Sequence, residues 1–298
     1  MNINILSTST TSISTDNNGA NVQGDELVAR SWAKYLQRDE RVSSVDIDGH
    51  HKDYHVSISF SPLIERAMTG LKVLYLQNVF PKPAWPGTIE MYHQNKNRYD
   101  AFVFPSEGLM NRCGEGLVCQ FAVDPELFYP KDINNNFEHK LYFVGNNIRD
   151  KETSEKYLLC AKDKGLVIYG NSYAWNSVLC KGKISISDEA SLYSSGKIGL
   201  NAHLSEHLEF GGYNFRLFNI LACKGFIISD KSQLLENEFN GCMEFTDGGE
   251  DLLSKIDYYL ENPQQTIKYR EYGYDYVLSK HTFRHRISDL LNWLETKI

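Results

Sequence analysis

The residues best suited to chemistry lie between Lys197 and Asp230, KIGLNAHLSEHLEFGGYNFRLFNILACKGFIISD. The pattern reads as an apolar strand over Ile198–Asn201, a polar loop, the glycine pair Gly211-Gly212, a helix, a stop at Gly225 and a strand over Phe226–Ser229. The helix rests on Leu217/Leu221 and Phe218/Ala222, each pair four residues apart, with Gly225 where a left-handed cap residue belongs. A glycine pair lets a backbone turn approach a ligand, and the helix N-terminus behind it offers free N–H groups and partial positive charge to a phosphate. Asn214 and Arg216 in the first helical turn add a donor and a fixed cation. Asn201 at the strand end and Tyr213 beside the glycines complete the expected lining. The chemistry is capture of a diphosphate; the bland alternative is an ordinary crossover between parallel strands.

A second group of candidates recurs at other strand ends. Leu141–Val144 runs into Gly145-Asn146-Asn147, with Arg149 directly after, and Leu166–Tyr169 runs into Gly170. A short strand over Ile184–Ile186 is expected before Ser187-Asp188-Glu189, which reads as a helix start with an acidic first turn. At the N-terminus, Ile3–Leu6 precedes a Ser/Thr-rich loop holding Asn17, Asn18 and Gly19, then a helix over about 25–37. Ligands of open α/β sheets bind at the carboxyl ends of the strands; without a GxGxxG pattern this loop need not hold pyrophosphate and could equally face an acceptor. His50, His51 and His55 lack the carboxylate spacing of a zinc site and read as solvated.

These candidates sit on short apolar runs with polar ends: Val42–Ile47, His55–Phe60, Leu71–Leu76 and Asp100–Pro105 in the first half, and the strands named above in the second. Such runs suit mostly parallel sheets buried on both faces. LVCQFAVDPELFYP at 117–130 and the polar KDINNNFE after it read as a hinge, giving two α/β domains, 1–125 and 126–298. Three helices close the chain, over about 251–260, 264–278 and 282–297. The chain has 298 residues, 42% hydrophobic and 23% charged, as in soluble globular proteins, with no apolar run long enough to span a membrane and no signal-peptide pattern at its start. A net charge of −7 opposes a nucleic-acid partner. Six cysteines without CxxC spacing are expected to be reduced structural thiols in the cytoplasm.

Taken together the two halves resemble the GT-B fold of nucleotide-sugar glycosyltransferases, two Rossmann-like domains facing a cleft. Val123-Asp124, Phe128 and Pro130 resemble the connector of that fold. Residues 141–297 resemble the donor domain of spore-maturation (CgeB-like) glycosyltransferases. The motif residues are Tyr169-Gly170 with Trp175; Tyr193, Lys197, Ile198, Leu200 and Asn201; Asn214, Arg216, Phe218, Asn219, Ala222, Cys223 and Gly225; and His281, Thr282, Phe283 and Arg286.

The resemblance implies an enzyme that moves a sugar from a nucleoside diphosphate to a saccharide, lipid-linked glycan or protein, with no cofactor beyond the donor. It places the diphosphate in the second domain, between Gly145–Asn147 with Arg149 and Gly211–Arg216. No Asp-x-Asp motif is expected at a strand end, so metal-independent chemistry is expected. The base would lie between Tyr169–Asn171 and the Ile186–Asp188 turn. Retaining members carry two glutamates eight residues apart; here those positions are Gly211 and Asn219, so Asn219 is expected on the ribose and Glu209 as a substitute for the first. Arg216, Glu209 and His203 are the catalytic candidates, with Glu206 beside them and Asp16, Asp25 and Glu107 as weaker bases in the first half. Loss of the glutamate leaves an alternative, a catalytically inactive nucleotide-sugar or glycan binding protein in surface-structure assembly. A sugar-nucleotide epimerase of the same fold lacks an acid–base pair here. The resemblance also leaves room for a peripheral membrane contact.

Overall fold

The computed structural model describes residues 1–7, 24–50, 53–80, 82, 86–171, 175 and 178–298. The first lobe is built on a six-stranded, all-parallel sheet of order β2-β1-β3-β4-β5-β6. Its strands are β1 (Asn2–Leu6), β2 (Ser44–Ile47), β3 (Val56–Ser59), β4 (Leu71–Tyr75), β5 (Ala101–Phe104) and β6 (Leu117–Val118), and its helices are α1 (Gly24–Leu36), α2 (Thr88–Asn95) and α3 (Glu107–Cys113). The second lobe has a five-stranded parallel sheet of order β11-β10-β9-β7-β8. It holds β7 (Leu141–Val144), α4 (Lys151–Tyr157), β8 (Leu166–Tyr169), α5 (Ile186–Ser195), β9 (Ile198–Asn201), α6 (Ser205–Phe210), α7 (Phe215–Ala222), β10 (Ile227–Asp230), α8 (Gln233–Glu238) and β11 (Glu244–Thr246). Then come α9 (Glu250–Glu261), α10 (Ile267–Lys280) and α11 (Phe283–Glu295).

β3, β9 and β10 are buried at every position, and in β3 the two buried serines meet that environment by donating to the Thr69 and Ser61 carbonyls. Helix starts follow capping chemistry: Ser106, Asp150, Ser185, Asn214 and Ser232 each accept a backbone N–H three residues on. The Ser185 cap corrects one expectation. Residues 184–186 form no strand, because α5 begins at Ile186 under the Ser185 hydroxyl.

The lobes meet at a turn set by Asp124. Its buried carboxylate accepts from Lys34, Tyr35 and the Glu126 N–H, fastening the connector to α1. Phe128, four residues on, is buried in the second lobe. The chain crosses back at 281–283, where Val123 N donates to the His281 carbonyl and Phe283 N to the Val123 carbonyl. Arg286 clamps the crossing through the carbonyls of Gln120 and Phe121. Thus α11 leaves the second lobe, into whose 126–298 span the sequence reading had placed it. Phe283, Ile287, Leu290, Leu291 and Leu294 instead complete the first lobe's core against Val28 and Trp32. All six cysteines are free thiols. Among the described residues no helix is long and apolar enough to cross a membrane.

Candidate functional site

In the second sheet the chain runs from β7 outward to β8, then returns to place β9 on the other side of β7. The carboxyl ends of β7 and β9 therefore diverge, leaving the crevice where doubly wound sheets hold ligands. Two arginines span it. Arg216, in the first turn of α7, donates Nε to the Val144 carbonyl and NH1 to Asn201 Oδ1 at 2.8 Å. Arg149 donates Nε to the Ala202 carbonyl at 2.7 Å and NH1 to the Asn146 carbonyl at 3.1 Å. Both guanidiniums lie over the Phe143 ring, at 4.2 and 5.0 Å from its centre.

Among the described residues neither guanidinium has a carboxylate within ion-pair distance. Burial lowers Arg216, and burial with the nearby Arg216 charge brings Arg149 down to about 9. Two like charges fixed by neutral acceptors in a partly dry crevice are chemically suited to an anion. Gly145 is required there: its φ is 149°, and a Cβ would lie 2.5 Å from Arg216 NH2. Gly170 packs behind it, where a Cβ would meet the Gly145 carbonyl oxygen at 2.4 Å.

The crevice opens into a cleft of ≈ 630 Å³ between the lobes. One wall carries Tyr169, Ile184 and Ile186 beside Gly170 and Asn171; the first lobe supplies Leu27, Gln77, Asn78, Val79 and Phe121. Sequence reasoning missed three side chains here. Glu189 is the sole carboxyl lining the cleft among the described residues, and it accepts from Tyr193. It keeps part of its surface open, yet loss of water around it raises it to about 7 against the pull of Arg216. His207 is lowered to about 3 by burial, then by His203 and Arg149, so its imidazole is neutral. Gln77, just past β4, is 1% exposed, and neither end of its amide has a partner among the described residues. Its signal in the sequence was a polar residue directly after the apolar run Val73–Leu76.

The expected site residues divide. Gly145, Asn146, Arg149, Tyr169, Gly170, Asn214, Arg216 and Asn219 line the cleft. Asn219 is 1% exposed, and its Oδ1 has no partner among the described residues. Asn201 sits beneath, with Oδ1 accepting from both Asn214 and Arg216. The others lie elsewhere for identifiable reasons. Gly211 is the left-handed cap of α6, a helix where a loop was expected, and Gly212 continues that turn; neither lines the cleft. Tyr213 is spent in the core against Phe218 and Phe239. His203 is fully buried, its Nδ1 2.7 Å from Asp230. Glu209 is exposed and pairs with Arg112 of the first lobe at 2.9 Å. Asn147 accepts from Ser154, and Ser187 faces solvent on α5. Asn18, Gly19 and the Asp16 and Asp25 side chains lie outside the described residues. Glu107 is exposed at the start of α3. One expectation is corrected here: an Asp-x-Asp pair, Asp46 and Asp48, does lie at a strand end, that of β2, where Asp46 accepts from Tyr54 and Asp48 pairs with Arg66.

Comparison of the whole chain with solved structures agrees with this architecture. Sucrose-phosphate synthase from Thermosynechococcus elongatus superposes with a TM-score of 0.71 at 10% identity, covering 99% of this chain and 98% of that one. Anabaena HepE, solved with UDP-glucose, gives 0.65 at 12% identity over 98% and 99%. The fold is GT-B. AviGT4, a glycosyltransferase involved in avilamycin A biosynthesis, is a further GT-B neighbour, at 0.63 and 9% identity over 98% and 96%. Residues 152–292, from α4 into α11, match the family model described as Glycosyl transferase-like. No curated protein sequence matches the chain. The GT-B crevice between the carboxyl ends of β7 and β9 and the matched segment coincide in Arg216, Asn219 and Glu189.

Proposed function

We propose that the protein is a nucleotide-sugar-dependent glycosyltransferase whose donor diphosphate is held by Arg149 and Arg216. The observation that carries this reading is the pair of guanidiniums at the β7/β9 crevice, neither ion-paired to a carboxylate among the described residues, opening on the interdomain cleft. Tyr169, Ile184 and Ile186 provide the flat apolar surface a base requires. Asn219, whose carbonyl has no partner among the described residues, and Glu189 are suited to the ribose hydroxyls. When the bond from the anomeric carbon to the phosphate oxygen breaks, its electron pair leaves with the diphosphate. Fixed cations that need no reorganisation stabilise that charge, which is the role a divalent metal would otherwise fill. Neutral His207 adds a hydrogen bond without further positive charge. Gln77 offers one acceptor and two donors to sugar hydroxyls.

The acceptor is a saccharide, lipid-linked glycan or protein, and the reaction is cytoplasmic in this reading. The motif residues around Asn201, Asn214 and Arg216 support the narrower likeness to spore-maturation glycosyltransferases. A second reading, nucleotide-sugar binding without turnover, is favoured by one observation: the cleft's carboxyl, Glu189, is occupied by Tyr193. Incubation with UDP-, GDP-, dTDP- and CDP-sugars separates the two. Sugar release or transfer that is lost in Arg216→Gln supports the transferase. Thermal stabilisation by a nucleotide without turnover supports the binding protein, and no response to any nucleotide removes both.

A further inference from the structure

Helix α6 belongs to the second lobe by sequence, lying between β9 and α7, yet its last side chain is buried in the first lobe. Phe210 is 6% exposed and packs in a core formed by Leu74, Leu76, Phe80, Met91 and Leu109. Around it the seam is continuous. Arg112 lies over the Phe210 ring and pairs with Glu209. Thr88 donates to Glu206 at 2.8 Å while accepting from the Phe80 backbone at 2.9 Å. Gly108 of α3 touches the Phe210 backbone so closely that a Cβ would lie 2.4 Å from its carbonyl oxygen. At its other end, the segment leading into α6 is anchored to its own lobe by the buried His203–Asp230 pair. Between these anchors lies His207, which lines the cleft facing the two arginines.

We propose that α6 is a strap between the lobes and that Phe210 is a positioning residue, setting the width of the cleft and holding His207 toward the bound diphosphate. The surface pair Arg112–Glu209 is half exposed and contributes little by itself; the apolar plug and the close contact at Gly108 carry the docking. Phe80 and Thr88 follow Gln77 in the first lobe, so the Gln77 wall and the His207 wall are fastened to one another. The positioning of His207 rests on the proposed diphosphate site, whereas the strap does not.

The test pairs two variants that break the seam differently. Phe210→Ala removes the plug. Gly108→Ala leaves the core intact and favours helix in α3, but wedges α3 off α6. Small-angle scattering reads the distance between lobes, and calorimetric titration with UDP reads the site. In both variants the radius of gyration is expected to grow by about 1 Å and the UDP affinity to fall about tenfold, with wild-type far-UV circular dichroism in Gly108→Ala. An unchanged radius of gyration in Gly108→Ala overturns the strap. A larger radius with unchanged UDP affinity overturns the positioning of His207. If wild-type protein binds no UDP while the scattering still changes, the diphosphate reading and the positioning of His207 fail, and the strap stands.

Discussion

Replacing Arg216 with glutamine tests the central electrostatic argument. Arg216 spends Nε on Val144 and NH1 on Asn201, leaving NH2 beside the Gly145 backbone at the cleft. A unit charge about 4 Å from a phosphate is worth about 4 kcal/mol at the effective dielectric of a protein surface. The cleft is partly open to water, which reduces this to about 2–3 kcal/mol, in line with hydrogen bonds to charged groups. The dissociation constant for UDP should therefore rise about 30- to 150-fold in Arg216→Gln. Arg216→Lys, which keeps the charge but loses the fork, should fall between. The control is uridine, which shares the base and ribose but has no phosphate, and its affinity should not move. Stability without nucleotide should change little, because Asn201 Oδ1 keeps its bond from Asn214 and Arg149 loses a like-charged neighbour. Titration calorimetry with both ligands decides the matter. Equal weakening of uridine and UDP would mean that shape was lost rather than charge, and unchanged UDP binding would refute the anion site outright.

Three further outcomes follow from other residues. Gln77→Leu replaces a buried amide without partners among the described residues by an apolar group of similar size, so the free protein should gain about 1 kcal/mol in denaturant unfolding while sugar transfer falls at least tenfold and UDP binding stays unchanged; unaltered transfer would exclude Gln77 from substrate recognition. Glu189 is raised from its ordinary value to about 7, so its contribution to stability is full below about 4.5 and is lost as the pH rises through 7. Glu189→Gln should therefore unfold at a higher temperature than wild type at pH 8, relative to the difference at pH 4.5; a gap that does not change with pH would contradict this. Gly170→Ala puts a methyl group against the Gly145 carbonyl, a clash between two backbones, and should cost about 1–3 kcal/mol in thermal unfolding together with nucleotide binding.

The parts legible in the sequence were those set by local patterns. Apolar runs ending in polar residues located β1, β4, β7, β8, β9 and β10 within a residue or two, and two such series with a Pro-marked break gave two sheets. That Arg216 lines the cleft was legible because a guanidinium one turn from a Gly-Gly pair has little packing use. What stayed hidden depends on distant residues. SEHLEF reads as a polar loop until Phe210 is placed in the other lobe's core, and the Gly211 cap then becomes visible as a helix stop rather than a ligand turn. Glu189 looks like an acidic first turn until α5 packs beside α7. Gln77 carries no local signal beyond its place at a strand end. β11 is short, and α8 brings only Leu235 fully into the core, so neither announces itself through period or length.

The return of α11 to the first lobe has a consequence for how this gene can vary. A single crossover at the connector, joining the first lobe of one such chain to the second lobe of another, would bring along a foreign α11. Trp32, Val28 and their neighbours would then receive an apolar face shaped for someone else's sheet. Exchange of the second sheet requires two breakpoints, one near Asp124 and one near Thr282, and natural chimaeras of this type should retain the first lobe and α11 from the same parent.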